Sequence, residues 1–231
     1  MNWITNIIEP PRLLLVWQPL SDAVSRSRRI VGEIIRDDSN YTFRYLPGTE
    51  DFNAACHLGF EGYPAFDISE REHTHGVLES FMLRLPPRKR SDFSKFLASF
   101  RIPAEAIVSD FALLGYSEAR LPGDGFSIIN PYDDAVAPCQ FVSEVSGYRH
   151  HKGLEMELEV ERELAFEPDR ENPFDANAIK ITVESVTIGY VNKCQTAAFS
   201  SWIRCGRVHA TIDRKNGTTL KPRLLMFVSV T

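Results

Sequence analysis

The sequence predicts an α+β protein: a small antiparallel β-meander with helices, followed by an OB-like β-barrel with one main helix. Three observations carry this. Short apolar or alternating runs separated by turn residues fill the start of the chain. In the middle, apolar residues recur at helical spacing between prolines. From Cys139 onward, five or six short strand patterns surround a single helical one.

The length of 231 residues allows one large domain or two ordinary ones, and 43% hydrophobic with 25% charged residues is the composition of a globular chain. No apolar run approaches the ~20 residues that span a bilayer. The N-terminus lacks the basic start and small-residue cleavage site of a signal peptide. The expectation is a cytoplasmic protein with no membrane partner. Four scattered cysteines (Cys56, Cys139, Cys194, Cys205), with no C-x-x-C pair, fit reduced thiols and argue against structural zinc. His73 and His75 are the one pair spaced to share a strand face as metal ligands, and no ligand cluster accompanies them. No cofactor is expected.

Net charge is −5, all of it in residues 1–138, while residues 139–231 are neutral. Within that neutral part the charges segregate. Residues 190–231 hold Lys193, Arg204, Arg207, Arg214, Lys215, Lys221 and Arg223 against one acid, Asp213. A locally basic end offers phosphate a short-range surface even in an acidic chain.

Taking the elements in order, Leu13–Trp17 reads as a buried strand and the arginines at 26–29 as a loop. Ile30–Ile35 is a second strand, and Tyr41, Phe43 and Tyr45 alternate as a third after the turn at 37–40. Nothing regular emerges between Glu50 and His75, where glycines and Pro64 interrupt the apolar residues. Helices follow at 77–85, stopped by Pro86-Pro87; at 92–100, with Ser91 as N-cap; and at Ala104–Leu114, opened by Pro103 and ended by Gly115. Phe126–Ile129 is a last strand.

Together, Leu13-Leu-Leu-Val-Trp17, Val31-Gly-Glu-Ile34, Tyr41-Thr-Phe-Arg-Tyr45, Phe81-x-x-Arg84-Leu-Pro86 and Ser109-x-Phe111-Ala-Leu-Leu-Gly115 resemble the N-terminal region of HipA-type serine/threonine kinases. The kinase core that would follow is absent, and no Gly-rich phosphate loop precedes a helix. No phosphoryl transfer is expected. An enzyme would need Asp67, Glu70 and Glu72 with His73 and His75 to form a metal nuclease, and their spacing favours a polar surface loop. The domain expectation is therefore 1–130, a linker at 131–138 that is proline-bearing and aperiodic, and a second domain at 139–231.

The second part opens with a strand at 139–145 and a loop bounded by Gly147 and Gly153 that presents Tyr148, Arg149, His150, His151 and Lys152. Aromatic, imidazole and guanidinium planes interleaved with positive charge suit a base-stacking, phosphate-holding surface, although a hairpin tip carries such residues for solubility too. Leu154 to Leu164 alternates with period two and reads as a strand with its glutamates outward. Then comes Glu167-Pro-Asp-Arg-Glu-Asn-Pro-Phe-Asp-Ala-Asn177, a turn in which Asn172, Asp175 and Asn177 satisfy backbone and Phe174 is either core or ligand contact. Strands at 177–183 and 186–191, a helix at 195–204, and strands at 208–212 and 224–230, joined through a turn at Lys215-Asn-Gly217, complete the barrel.

Arg170-Glu-Asn-Pro-Phe-Asp-Ala-Asn-Ala-Ile-Lys-Ile181, followed by Ile188-Gly-Tyr-Val191 and a helix, with Gly147-Tyr-Arg-His150 before it, resembles the HIRAN domain over residues 139–231. The resemblance implies a modified OB barrel that binds single-stranded DNA, in some members at a free 3′ end. It implies phosphate contacts from Arg149 and Lys193, stacking by His150 and Phe174 beside Tyr148, and a groove floor of Asn172, Phe174 and Asp175. Asp175, an acceptor only, suits a terminal hydroxyl rather than a phosphate. The family has Tyr where His150 and Phe174 stand, and an aromatic that closes the groove has no counterpart at Thr218–Lys221. The expected function is non-enzymatic single-stranded DNA binding, with residues 1–130 mediating protein contacts. The alternative is a regulatory or antitoxin subunit of a separately encoded HipA-like kinase.

Overall fold

The computed structural model describes residues 2–20, 27–121, 123–151 and 157–231. They form two compact units. One comprises Ile8–Phe93 and Ile107–Pro131; the other takes the segment ending at Ile7, Ser94–Ala106 and Tyr132–Thr231.

In the first unit β1 (Arg12–Trp17), β2 (Arg29–Asp37) and β3 (Asn40–Tyr45) form the expected antiparallel meander, turning at Asp38 with φ 49°. Where no element was expected, α1 (Glu50–His57) follows. Its signal was present: Thr49 accepts the Phe52 N–H as N-cap, and Glu50 and Asp51 place acid at the positive end of the helix. β4 (Glu72–His73), also unexpected, adds two residues to β3. Helix α2 (Val77–Met82) is near its expected place, and α3 (Phe93–Ala98) is shorter than the pattern at 92–100.

The helix expected at Ala104–Leu114 is corrected to α4, Asp110–Ser117. Ser109 caps it by accepting the Ala112 N–H, and Ile107, counted as part of the expected helix, is 96% exposed. Gly115 does not stop this helix. A Cβ there would lie 2.8 Å from Leu13 Cδ2 and 3.3 Å from Asn130 Cβ, so the glycine lets the helix press against its neighbours, and Glu118 at φ 55° ends it instead. β5 (Phe126–Ile129) pairs with β1, giving the order β4-β3-β2-β1-β5.

The core under this sheet is aromatic, and His73 joins it. Its ring stacks on Phe43 at 6.0 Å and 19°, and its Nε2 lies 3.0 Å from the Asp67 carbonyl. Asp67 Oδ1 accepts the Ser69 N–H and hydroxyl. Among the described residues, no group of three His, Cys, Asp or Glu side chains is placed to hold a metal. Arg84 is buried with its donors engaged. Nε meets the Ala119 carbonyl at 2.7 Å, both terminal nitrogens meet Asp124, and one also meets the Phe126 carbonyl.

The second unit contains β6 (Cys139–Glu144), β7 (Glu163–Pro168), β8 (Ile179–Val183), β9 (Val186–Tyr190), α5 (Thr196–Arg204), β10 (Val208–Gly217) and β11 (Pro222–Val230). The sheet order is β6-β11-β10-β7-β8-β9. Its two edge strands come together just past β6, where Ser146 and Tyr190 exchange both backbone hydrogen bonds at 2.8 Å. The sheet is therefore curled into a six-stranded half-barrel, consistent with an OB-like fold. Helix α5 buries Ala198, Phe199 and Trp202, as its spacing predicts.

Two expectations fail here. Of the alternating strand expected at 154–164, residues 157–162 form irregular backbone and β7 starts only at Glu163; Leu154 and Met156 lie outside the described residues, as does Lys152. Glu161 adopts φ 70°, which breaks the two-residue period, so Leu158 is buried while Val160 is 59% exposed. The turn at Lys215-Asn-Gly217 is also corrected: all three belong to β10, paired out to Gly217↔Pro222, and the reversal falls at Thr218–Lys221.

Segments remote in sequence complete this unit. Buried Arg101 donates to buried Asp213 on β10 at 2.5 Å, and Arg214 holds the other Asp213 oxygen at 2.6 Å and reaches the Ser99 carbonyl. The Ile4 N–H donates to the Arg101 carbonyl, and Thr5 bonds the Gln140 side chain through its N–H and hydroxyl. No helix among the described residues is long and apolar enough to cross a membrane.

Candidate nucleic-acid interface

The loop between β7 and β8 is tied off at its base, where the Asp169 N–H donates to the Ala178 carbonyl at 2.8 Å. Inside it, Asn172 does the work that Asn does in turns: its side-chain oxygen accepts the N–H groups of Phe174 (2.9 Å) and Asp175 (3.1 Å). Its Nδ2 donates to Asp169 Oδ2 at 3.3 Å. Asp175 Oδ1 accepts the Asn177 N–H at 2.9 Å, and the Asp175 carbonyl accepts the Ala178 N–H. Backbone and short polar side chains thus fix the loop without any apolar contact from Phe174. That ring is 94% exposed, which overturns the reading of it as core.

Asp169 anchors the loop to the strands. Its side chain is buried, with Lys180 of β8 at 3.0 Å on one oxygen and the Tyr190 hydroxyl donating at 3.1 Å to the other. The Lys180 ammonium, with the Asn172 amide and the Tyr190 hydroxyl, holds its carboxyl below the usual range, against the opposing effect of burial. Burial and then the Asp169 carboxylate push the Tyr190 phenol up.

Tyr190 also joins the second half of the surface. Its backbone pairs with Ser146, and the chain then turns through Gly147 into a single 3-10 turn, Tyr148–His150. Gly189 makes that approach possible: a Cβ there would fall 2.6 Å from the Ser146 carbonyl oxygen and 2.5 Å from Val145 Cγ1, at φ 154°. Arg149 and His150 are exposed, and the Arg149 Nε donates to His150 Nε2 at 3.3 Å. Tyr148 and His151 are partly buried, and the His151 ring lies 6.4 Å from that of Tyr190. Burial, then the charge of His150, lowers the His151 pKa.

Lys193 begins a 3-10 turn, Lys193–Gln195, three residues beyond Tyr190 and just ahead of α5; it is exposed, and Asn192 caps the turn by accepting the Cys194 N–H. The 169–178 loop is tied to Tyr190 through Asp169, and the 146–151 segment through Ser146 and His151. Asn172 is spent on building its loop, while Phe174 is presented by it.

The basic end of the chain is less available than its count implies. Arg223 is held bidentately by Glu144, Arg214 by Asp213, and Arg207 by the Thr231 carbonyl. Lys215 and Lys221 are exposed at the turn end of the β10–β11 hairpin. That end adjoins the 148–150 turn, because the Val145 N–H donates to the Leu224 carbonyl where the chain leaves β6.

Sequence reasoning passed over Tyr190, Asp169 and Lys180 as site residues. Tyr190 had a signal in the Gly-Tyr pair after a strand. Asp169 and Lys180 had none, since their pairing exists only once β7 and β8 are in register.

Residues 139–229 match the family model of the HIRAN domain. Among solved structures, the chain is similar to one described as the crystal structure of the HIRAN domain of human HLTF, at 18% identity and a TM-score of 0.28, covering 39% of this chain and 76% of that one. No curated protein matches the chain.

Proposed function

Given the HIRAN match over residues 139–229, we propose that this chain is a non-enzymatic nucleic-acid-binding protein whose second unit holds single-stranded DNA across the two loops that meet at Tyr190. The observation that carries this reading is Phe174: a phenylalanine 94% exposed, on a loop held by six or so hydrogen bonds that do not involve its ring. The backbone that carries the ring is already ordered, so a base stacking on it meets a smaller ordering cost than on a mobile loop. Arg149 and Lys193 supply charge for phosphate, and His150 supplies a second flat face.

End recognition is the finer part of the reading. Asp175 keeps one oxygen on the Asn177 N–H. Its carboxylate accepts a hydrogen bond from a terminal hydroxyl and repels a terminal phosphate. The 3′ end with a free hydroxyl is accordingly the preferred partner.

Fluorescence anisotropy with a short labelled oligo-dT tests both parts. Phe174→Ala should weaken binding by ~5- to 150-fold, the equivalent of about 1–3 kcal/mol of stacking. With two phosphate contacts, log Kobs should fall against log salt with a slope of about −1.4. A 3′-phosphorylated oligonucleotide should bind more weakly than its 3′-hydroxyl twin. Absence of binding at low salt with either end free sinks the reading.

A further inference from the structure

Resting on the single-strand reading above, we propose that Asp169 is a positioning residue of the candidate site: it meets no nucleic acid itself, and its carboxylate sets where Phe174 stands. Asp169 is 8% exposed, too deep for a strand to reach, and its oxygens face protein donors. One oxygen, Oδ2, takes both the Asn172 Nδ2–H at 3.3 Å and the Tyr190 hydroxyl at 3.1 Å. The other lies 3.0 Å from the Lys180 ammonium. From Asn172 the chain of bonds continues outward. Its side-chain oxygen holds the N–H groups of Phe174 and Asp175, at 2.9 and 3.1 Å, which fixes the backbone that carries the exposed ring. Those N–H groups can only donate, so the Asn172 oxygen must face them and its amide hydrogens must face Asp169. One carboxylate oxygen thereby joins the loop that presents Phe174 to the strand that ends in Tyr190.

The position calls for a carboxylate rather than its amide isostere. An ammonium, an amide and a phenol all aim donors at residue 169, and an ionised carboxylate is acceptor only. An asparagine has one acceptor oxygen and two N–H donors. Turned to serve Asn172 and Tyr190, its amide nitrogen faces the Lys180 ammonium, donor against donor. Turned the other way, it faces the Asn172 amide. Either way one of the bonds that orient this residue is lost, while the size of the side chain is unchanged. The main-chain bonds at the base of the loop survive, because the Asp169 N–H still donates to the Ala178 carbonyl and its own carbonyl still accepts the Asn172 N–H. Asp169→Asn therefore loosens the presentation of Phe174 without opening a cavity in the unit.

The test is the affinity of short oligo-dT for the full chain. Asp169→Asn should weaken it by about 3- to 10-fold, the scale on which members of one hydrogen-bond network couple. The salt slope should stay at about −1.4, since Arg149 and Lys193 are untouched. In a Phe174→Ala background the same substitution should change affinity by less than about twofold, because the ring it positions is gone. Stoichiometric titration counts the binding-competent molecules and circular dichroism checks the fold, so that loss of folded protein is not read as weaker binding. Asp169→Asn combined with Lys180→Gln restores matched partners, with an amide carbonyl at 180 accepting from residue 169, and should regain most of the affinity. Parent-like affinity in Asp169→Asn, an equal loss in the Phe174→Ala background, or a double variant no tighter than the single one overturns the inference and leaves the single-strand reading standing. No binding by the parent chain at low salt overturns both.

Discussion

Adding one methyl group at Gly189 is the sharpest probe of how the candidate site is built. In Gly189→Ala the new Cβ would lie 2.5 Å from Val145 Cγ1 and 2.6 Å from the Ser146 carbonyl oxygen, both well inside contact distance. The Val145 methyl can shift; the Ser146 oxygen cannot, because it accepts the Tyr190 N–H at 2.8 Å in the pair that joins the sheet's two edges. The residue would also have to adopt φ 154°, a region that a side chain disfavours. Overpacking of this kind costs about 1–3 kcal/mol and the backbone conformation adds about 1 kcal/mol, so the total is about 2–4 kcal/mol. For a chain of this size that lowers Tm by ~5–15 °C in a thermal melt followed by circular dichroism. If the protein relieves the clash by opening the Ser146–Tyr190 pair, the 148–150 turn separates from the 169–178 loop and oligo-dT binding weakens too. A variant that melts within about 1 °C of the parent and binds with unchanged affinity refutes this account of the strand pair.

Other perturbations test separate features. Replacing Arg84 by Ala leaves Asp124 and two carbonyls without their donor in the first unit, and should cost about 3–5 kcal/mol by denaturant unfolding. Arg101→Ala uncovers the buried Asp213 carboxylate, so a fragment starting at residue 139 should be less stable than the second unit within the full chain; a double-mutant cycle with Asp213→Ala should recover part of the loss. Asp169 binds its proton less readily folded than unfolded, so its contribution is intact above about pH 4 and is lost as pH falls through the lowered folded value; acid melts of Asp169→Asn should lack that component. Exposed Cys56 and Cys205 should react with a thiol reagent well before buried Cys194 and Cys139, the latter with its thiol pushed up to about 11 by burial.

What could be read in advance follows a physical line. Local signals survived because local forces make them. The meander from Leu13 to Tyr45 is written in alternation and turn residues. Helix α5 is written in the spacing of Ala198, Phe199 and Trp202, and the 169–178 loop in the Asn-Pro and Asx chemistry that the structure shows at 2.9–3.1 Å. The errors arose where a tertiary contact outvoted a pattern. Five glutamates alternating with apolar residues read as a strand, yet the chain along β10 is interrupted by left-handed Glu161. Gly115 read as a helix stop, yet its missing side chain makes room for Leu13 and Asn130.

By itself the sequence determined the strand-rich second unit and the position and internal bonding of the Asn172 loop. These depend on groups within a few positions of one another, where backbone geometry leaves little choice. Only the tertiary structure decided that Phe174 points into water, that Asp169 is shared by Asn172, Lys180 and Tyr190, and that the Gly-Tyr-Arg-His turn lies against the same tyrosine. Burial and partnership between separate strands are set by strand register and by the pairing of β-sheet edges, and no local pattern encodes them.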